Sequence, residues 1–231
     1  MYFDPLWLVL AAPGLLLSMW ASFRVKSTFA KYAEVGSRRG MTGAEAAREL
    51  VRRRGIQGVQ VEETPGFLSD HYDPSARVLR LSPDVYRGRS LSALGVAAHE
   101  AGHAIQHAHD YGPMKLRAMI VKPAMIGSNL SNLMLMFGLG THLTGLVWLG
   151  VIGSALGALF ALVTLPVEFD ASKRAVVALQ ETGIIYPDEA EGAGAVLRAA
   201  AMTYVAGAVT ALLQLLYFLI RSGLLGSRRD D

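Results

Sequence analysis

One run in the chain has residue types and spacing that could do chemistry: Ala97-Ala-His99-Glu100-Ala-Gly-His103, a His-Glu-x-x-His pattern. On a helix, four residues make a little over one turn. Both imidazoles then leave the same face and can meet one tetrahedral ion at about 2.0–2.1 Å. Glu100 lies beside that face, where it could take a proton from an attacking water and return it to a leaving amine. A metal would supply the rest, lowering the water's pKa toward about 7 and polarising a carbonyl. The chain has no cysteine, so a Cys-ligated zinc site and a disulfide framework are both excluded. Any metal here must use His and carboxylates. The competing explanation of the same run is a helix whose histidines are solvated or satisfied within a core.

A catalytic zinc expects three protein ligands and one open position. His107 continues the same helical face but lies about 6 Å further along the axis than His103, too far to share the ion. His109, six residues after His103, has the metzincin spacing. That arrangement needs a Gly at position 106 to turn the chain back, and position 106 is Gln. A carboxylate from a second helix is the other source. Glu168 suits it, because it follows an apolar segment directly and so returns to the surface that carries His99. Pro166-Val-Glu-Phe-Asp-Ala-Ser-Lys-Arg174 is a short charged insert between apolar stretches, and it also reads as a solvated interfacial face. Asp170 competes with Glu168 as ligand, and Ser172, one turn on, could support a ligand histidine from behind. Donors for an oxyanion are available in His71, Tyr72, Arg198 and Tyr204, although Tyr204 could equally anchor the chain at a membrane interface.

The elements that must position these residues include long apolar segments. Of 231 residues, 52% are hydrophobic, mean hydropathy is +0.33, and the apolar residues are clustered, which is the profile of a multi-spanning membrane protein. Residues 6–23 read as a retained anchor rather than a signal peptide, because Asp4 precedes them and the basic cluster follows. Pro13-Gly14 should kink it. Residues 118–165 read as a transmembrane hairpin that turns at Gly138-Leu-Gly-Thr-His142, and residues 199–220 as a fourth span. Residues 24–117 and 166–198 are then extramembrane, and 221–231 form a basic tail.

Within 24–117, Thr42-Gly-Ala-Glu45 has capping-box spacing and opens a helix to about Arg54, where Gly55 stops it. Gly58–Glu62 and Ala76–Ser82 alternate as half-buried strands, joined by a loop that contains Asp70-His-Tyr-Asp-Pro74. Ser90 or Ser92 can cap the helix that carries His99 and runs to about His107. The strand 76–82, shortly before that helix, is placed to present an edge to an extended substrate.

The net charge of +3 and pI near 9.3 do not point to nucleic acid. Arg24, Lys26, Lys31, Arg38, Arg39, Lys115, Arg117, Lys173, Arg174 and Arg198 lie on the side of the extramembrane segments, while Arg221, Arg228 and Arg229 lie on the other. The asymmetry puts the chemistry on the cytoplasmic face.

Taken together, His99-Glu-Ala-Gly-His103-Ala-Ile-Gln106, Asp70-His-Tyr-Asp-Pro74, Arg80-Leu-Ser82, Val167-Glu-Phe-Asp-Ala-Ser172 and Thr203-Tyr-Val205 resemble the YugP-type family of membrane neutral zinc metallopeptidases. The resemblance covers nearly the whole chain. It implies a mainly α membrane protein with about four transmembrane helices and a small zincin-like α+β metallopeptidase domain. It further implies one Zn2+ held by His99, His103 and Glu168, Glu100 as catalytic base, a polypeptide substrate, and residence in a bacterial cell membrane. The layout is also similar to that of HtpX-like and prenyl-protein endopeptidases, in which an Asp usually stands four residues after the ligand Glu. Here that residue is Ser172, so Asp170 or Ser172 would have to do its work. Two rivals stand beside the peptidase. One is a non-catalytic zinc-binding membrane scaffold. The other is an intramembrane protease, disfavoured because Arg87, Arg89, His107, His109 and Asp110 flank too short an apolar stretch and the later spans contain no Asp.

Overall fold

The computed structural model describes residues 4–225. Its elements in order are α1 (Pro5–Ala33), α2 (Gly43–Arg53), β1 (Gln60–Glu63), β2 (His71–Asp73), β3 (Val78–Leu81), α3 (Pro83–Tyr86), α4 (Leu91–Ala108), α5 (Gly112–Gly140), α6 (Thr144–Glu181) and α7 (Ala190–Arg221). They form two compact units. One comprises Met1–Trp20, Lys115–Pro166 and Tyr204–Asp231, the other Ala21–Met114 and Val167–Thr203.

The first unit is made of long apolar helices. Among the described residues, α1, α6 and α7 are long and apolar enough to cross a membrane. The span expected on α5, as the first arm of the hairpin, is not one of them. It is 29 residues long, but Ser128, Asn129, Ser131 and Asn132 interrupt its middle, which lowers its hydropathy below that of its neighbours. α5 and α6 are joined by a short turn at Thr141–Leu143. The backbones meet at glycines: a Cβ added to Gly153 would lie 2.4 Å from the Gly127 carbonyl oxygen, so no side chain fits there. Small residues at such a crossing let helices gain close packing where apolar burial distinguishes little between protein and lipid. Leu135, Val151 and Phe218 make a small buried cluster in the same unit, and Tyr217 donates to Asp4 Oδ2 at 3.0 Å beside the Arg221–Asp4 ion pair.

Two helices run on past their apolar parts. α1 continues ten residues beyond 23, and α6 passes through Pro166 without breaking. A proline inside a helix forfeits one hydrogen bond to the carbonyl four residues back. Here 15 further residues of helix follow it to Glu181 and hold the line. The tail residues Arg228 and Arg229 lie outside the described residues.

The second unit carries the small sheet. The α2 capping box forms as expected: Thr42 Oγ1 accepts from Glu45 N at 3.2 Å, and Thr42 N donates to Glu45 Oε2 at 2.8 Å. β3 lies in the centre of the order β1-β3-β2, parallel to β1 and antiparallel to β2. This corrects the expected edge. Residues 76–82 shrink to a central strand paired on both sides, Arg77 having a positive φ of 54° that no strand accommodates. The edge on the other side is β2, read from sequence as loop. Three polar residues are too few to show alternation, and β2 is held instead by pairing with β3, by the Arg80–Asp73 ion pair at 2.9 Å and by Asp73 Oδ1 accepting from Ser75 N and Ala76 N. α4, capped by Ser90, lies in the middle of this unit's core, with Leu94, Ala97, Ala98, Ala101 and Ala104 buried alongside Leu79, Leu81, Ala175 and Leu179.

Candidate metal centre

α4 places His99 and His103 one turn apart, and the extension of α6 beyond Pro166 brings Glu168 against them. His99 Nε2 stands 3.2 Å from Glu168 Oε2 and His103 Nε2 3.5 Å from the same oxygen. The three donors lie within 4.8 Å of one another. Ligands at about 2.0–2.1 Å from a tetrahedral ion are roughly 3.3 Å apart. The two measured His–Glu separations bracket that value, so this donor set fits zinc in both chemistry and size. The side chains of His99, His103 and Glu168 are 12%, 10% and 3% exposed.

What brings the helices this close is Gly102. A Cβ there would sit 2.7 Å from the Ala171 carbonyl oxygen and 3.3 Å from its carbonyl carbon and Cα. The residue just before His103 on the His helix therefore lies directly on the backbone of the Glu helix.

Behind the donors is a polar network that fixes how they point. Gln106 Nε2 donates to the Val167 carbonyl and to Asp170 Oδ2, each at 2.8 Å, and Asp170 Oδ2 also accepts from Arg174 Nε at 2.5 Å. Both Gln106 partners are acceptors, so the amide must turn its NH2 toward them and its oxygen toward His103 Nδ1, 3.0 Å away. Nδ1 of His103 is then a donor, and Nε2 is the nitrogen turned toward Glu168, where it can donate to the carboxylate or, once deprotonated, offer its lone pair to an ion. Ser172 Oγ meets His99 Nδ1 at 3.2 Å in the corresponding place.

Electrostatics follow from this packing. Burial would raise the Glu168 carboxyl, but hydrogen bonds from His103 and His99 and their charge outweigh it and hold the carboxyl well below the usual range. Burial would likewise lower the His103 imidazole, but its contacts with Glu168, the charge of Glu100 and the Gln106 oxygen raise it instead. Glu100 is itself buried on the same helix. At Asp170, burial is outweighed by Arg174 and Gln106, and the carboxyl is held low.

The structure thus brings together His99, His103 and Glu168, with Ser172 and Asp170 behind them. Asp170 faces Gln106 and Arg174. His109 is the exposed cap residue of α4 and is no part of the donor cluster. His71 is exposed on β2 with its Nδ1 at 2.8 Å from the Ser69 carbonyl oxygen, and Tyr72 OH meets His107 Nδ1 at 2.8 Å. Tyr204 belongs to the other unit. Sequence reasoning gave no role to Gln106, although its place three residues after His103 puts it on the same helical face. Gly102 had no signal beyond being a glycine inside a helix.

The buried His99, His103 and Glu168 make a donor set that could hold a metal ion, in a chain that also has three helices long and apolar enough to cross a membrane among its described residues. The profile of a family described as "Putative neutral zinc metallopeptidase" matches residues 7–223, and the chain belongs to that family. It is 45% identical over 215 residues to the "Putative membrane protease YugP" of Bacillus subtilis (strain 168), a match that spans 93% of this chain and 95% of that protein. No solved structure matches the chain.

Proposed function

We propose that the protein is a membrane-bound zinc metalloendopeptidase that holds one Zn2+ on His99, His103 and Glu168 and hydrolyses peptide bonds of membrane-associated or unfolded polypeptides. The observation that carries this is the donor triangle, with His–Glu separations of 3.2 and 3.5 Å beside the buried Glu100. A zinc ion bound there supplies a Lewis acid that acidifies water and polarises the scissile carbonyl. Glu100 orients the attacking water, takes its proton and returns it to the leaving amine. Gln106 keeps the His103 Nδ1 proton engaged so that Nε2 points inward, and Ser172 does the same for His99. The exposed β2 edge, at the far side of β3 from β1, is the strand available for pairing with an extended polypeptide.

In this reading α1, α6 and α7 span the cell membrane, the α5 segment accompanies α6 as the other arm of its hairpin, and the site faces the cytoplasm. The support for that orientation is the excess of Lys and Arg in the segments that carry the site.

The test is to purify the protein and its Glu100→Gln variant in detergent, measure bound zinc and assay cleavage of unfolded casein. Both should bind about one zinc per chain. The variant should lose roughly 10²–10⁴-fold in cleavage rate. Zinc bound by both with no cleavage by either would turn the reading to a zinc-binding scaffold.

A further inference from the structure

The loop between β1 and β2, Thr64-Pro-Gly-Phe-Leu-Ser69, exposes two large apolar side chains, Phe67 at 58% and Leu68 at 37%. Leu68 has a φ of 53°, in the left-handed region that bulky residues rarely adopt. The base of the loop is tied to the sheet on both sides. Thr64 N donates to the Leu81 carbonyl at 2.8 Å, and the Asp70 carboxylate accepts from Ser82 N at 2.7 Å and from Ser82 Oγ. The tip closes on itself through Ser69 Oγ, which donates to the Gly66 carbonyl at 3.3 Å. An apolar tip on a pinned base is a fixed feature of the surface.

Its neighbour says what the tip meets. The Phe67 ring stands edge-on to Phe29 of α1, centroids 6.0 Å apart and planes at 86°. The apolar run of α1 ends at Phe23, and Arg24 is the first charge after it. Six residues of helix from Phe23 to Phe29 rise about 9 Å. The headgroup layer beyond the hydrocarbon is roughly 5–7 Å deep on each side. Phe29 therefore lies about 2–4 Å outside that layer, and an aromatic side chain whose centroid is 6.0 Å from it is within reach of the layer. No residue from Thr64 to Ser69 is charged, so the tip can enter without desolvating an ion. Arg24, Lys26 and Lys31, all exposed on this part of α1, suit a surface bearing anionic lipid.

We propose that the Phe67-Leu68 tip is a lipid contact that inserts into the interfacial layer of the bilayer beside α1. The proposal rests on α1 being a membrane anchor and is independent of the peptidase chemistry. The occupant is the bilayer rather than a protein because the tip is contiguous, through Phe29, with the helix that enters the lipid.

The absence of cysteine allows a clean test on the full chain. Phe67→Cys, Leu15→Cys on the exposed apolar part of α1, and Ser75→Cys in the exposed β2–β3 turn would each carry a nitroxide in nanodiscs of mixed zwitterionic and anionic phospholipid. Collision with molecular oxygen, which partitions into lipid, would be compared with collision with a water-soluble nickel chelate. The oxygen-to-nickel ratio at position 67 should exceed that at 75 several-fold and approach that at 15. A ratio at 67 equal to that at 75, with 15 reporting lipid, would overturn the inference alone. Low collision with both reagents at 67 would mean protein covers the tip, and would overturn it as well. A water-like ratio at 15 would overturn the anchor reading and the inference with it.

Discussion

Replacing Gly102 by alanine would set a methyl group 2.7 Å from the Ala171 carbonyl oxygen. Ordinary contact requires the two backbones to part by about 0.8 Å, since heavy atoms pack at roughly 3.5 Å. Two terms oppose each other in stability. Alanine in a helix interior gains about 1 kcal/mol over glycine, while overpacking costs about 1–3 kcal/mol, so the net loss should be roughly 0–2 kcal/mol. The larger effect should fall on the metal centre. Gly102 lies in the same turn as His99 and His103, and Ala171 lies three residues beyond Glu168. Any separation at this crossing is passed almost whole to the His–Glu donor distances, now 3.2 and 3.5 Å, against roughly 3.3 Å for a tetrahedral site. A misplacement of this size should weaken zinc binding by about 10–100-fold, comparable with the loss of a residue that orients a ligand. The measurements are competition with a chromophoric chelator for zinc and thermal melting by circular dichroism in one detergent. Gly207→Ala, where an added Cβ meets nothing within 4 Å, serves as the control and should leave both unchanged or raise the melting temperature slightly. If Gly102→Ala binds zinc as tightly as the wild type and melts no lower, the close α4–α6 crossing is not what sets the donor geometry.

Other substitutions separate the parts of the site. Glu168→Ala should lose stoichiometric zinc while His109→Ala keeps it; the reverse result would move the third ligand to His109. Gln106→Ala should lower zinc affinity by about 10–100-fold, and Gln106→Glu, which keeps an oxygen for His103 but sets a carboxylate against the Val167 carbonyl and Asp170, should not restore it. Far from the site, Thr42→Ala should cost about 1 kcal/mol of stability, read by thermal or denaturant unfolding. The Glu45 carboxyl of the same capping box is held below its ordinary value by the Thr42 backbone and side-chain bonds. A depressed carboxylate stabilises above its unfolded value and stops doing so as pH falls through its folded value. The stability gap between the wild type and Glu45→Ala should therefore be present at neutral pH, below about 1 kcal/mol because the group is exposed, and shrink once pH drops under about 4.5.

The parts of this protein that local rules govern were legible in its residues. The α2 capping box, the α4 start at Ser90 and the helical spacing of His99 and His103 depend on interactions within a few positions, which sequence displays directly. β2 was not legible, because its strand character comes from β3 and the Arg80–Asp73 pair rather than from alternation in His71-Tyr72-Asp73. The continuity of α6 through Pro166 was also hidden. Proline punctuates a chain reliably at helix ends, yet here the flanking segments on both sides are helical and packed, and one lost bond does not break the run. Gln106 was visible as a residue and invisible as a function, since its partners Val167 and Asp170 are some 60 positions away and only the α4–α6 crossing brings them together.

That crossing also bears on what zinc does for the fold. The histidines and Glu168 are separated by α5 and most of α6, so an ion shared by them would tie two distant stretches of chain in the folded state and meet no such set in the unfolded one. A ligand that binds only the folded state stabilises it by about 2.7 kcal/mol at a hundredfold excess over its dissociation constant. Loading the chelator-stripped protein with zinc should therefore raise its melting temperature. The gain should be absent in Glu168→Ala and persist in Glu100→Gln, because on the proposed reading the first removes a ligand and the second only the proton carrier. Equal stabilisation of both variants would mean that zinc acts elsewhere on the chain. Loss of the gain in both would instead make Glu100 part of the binding set.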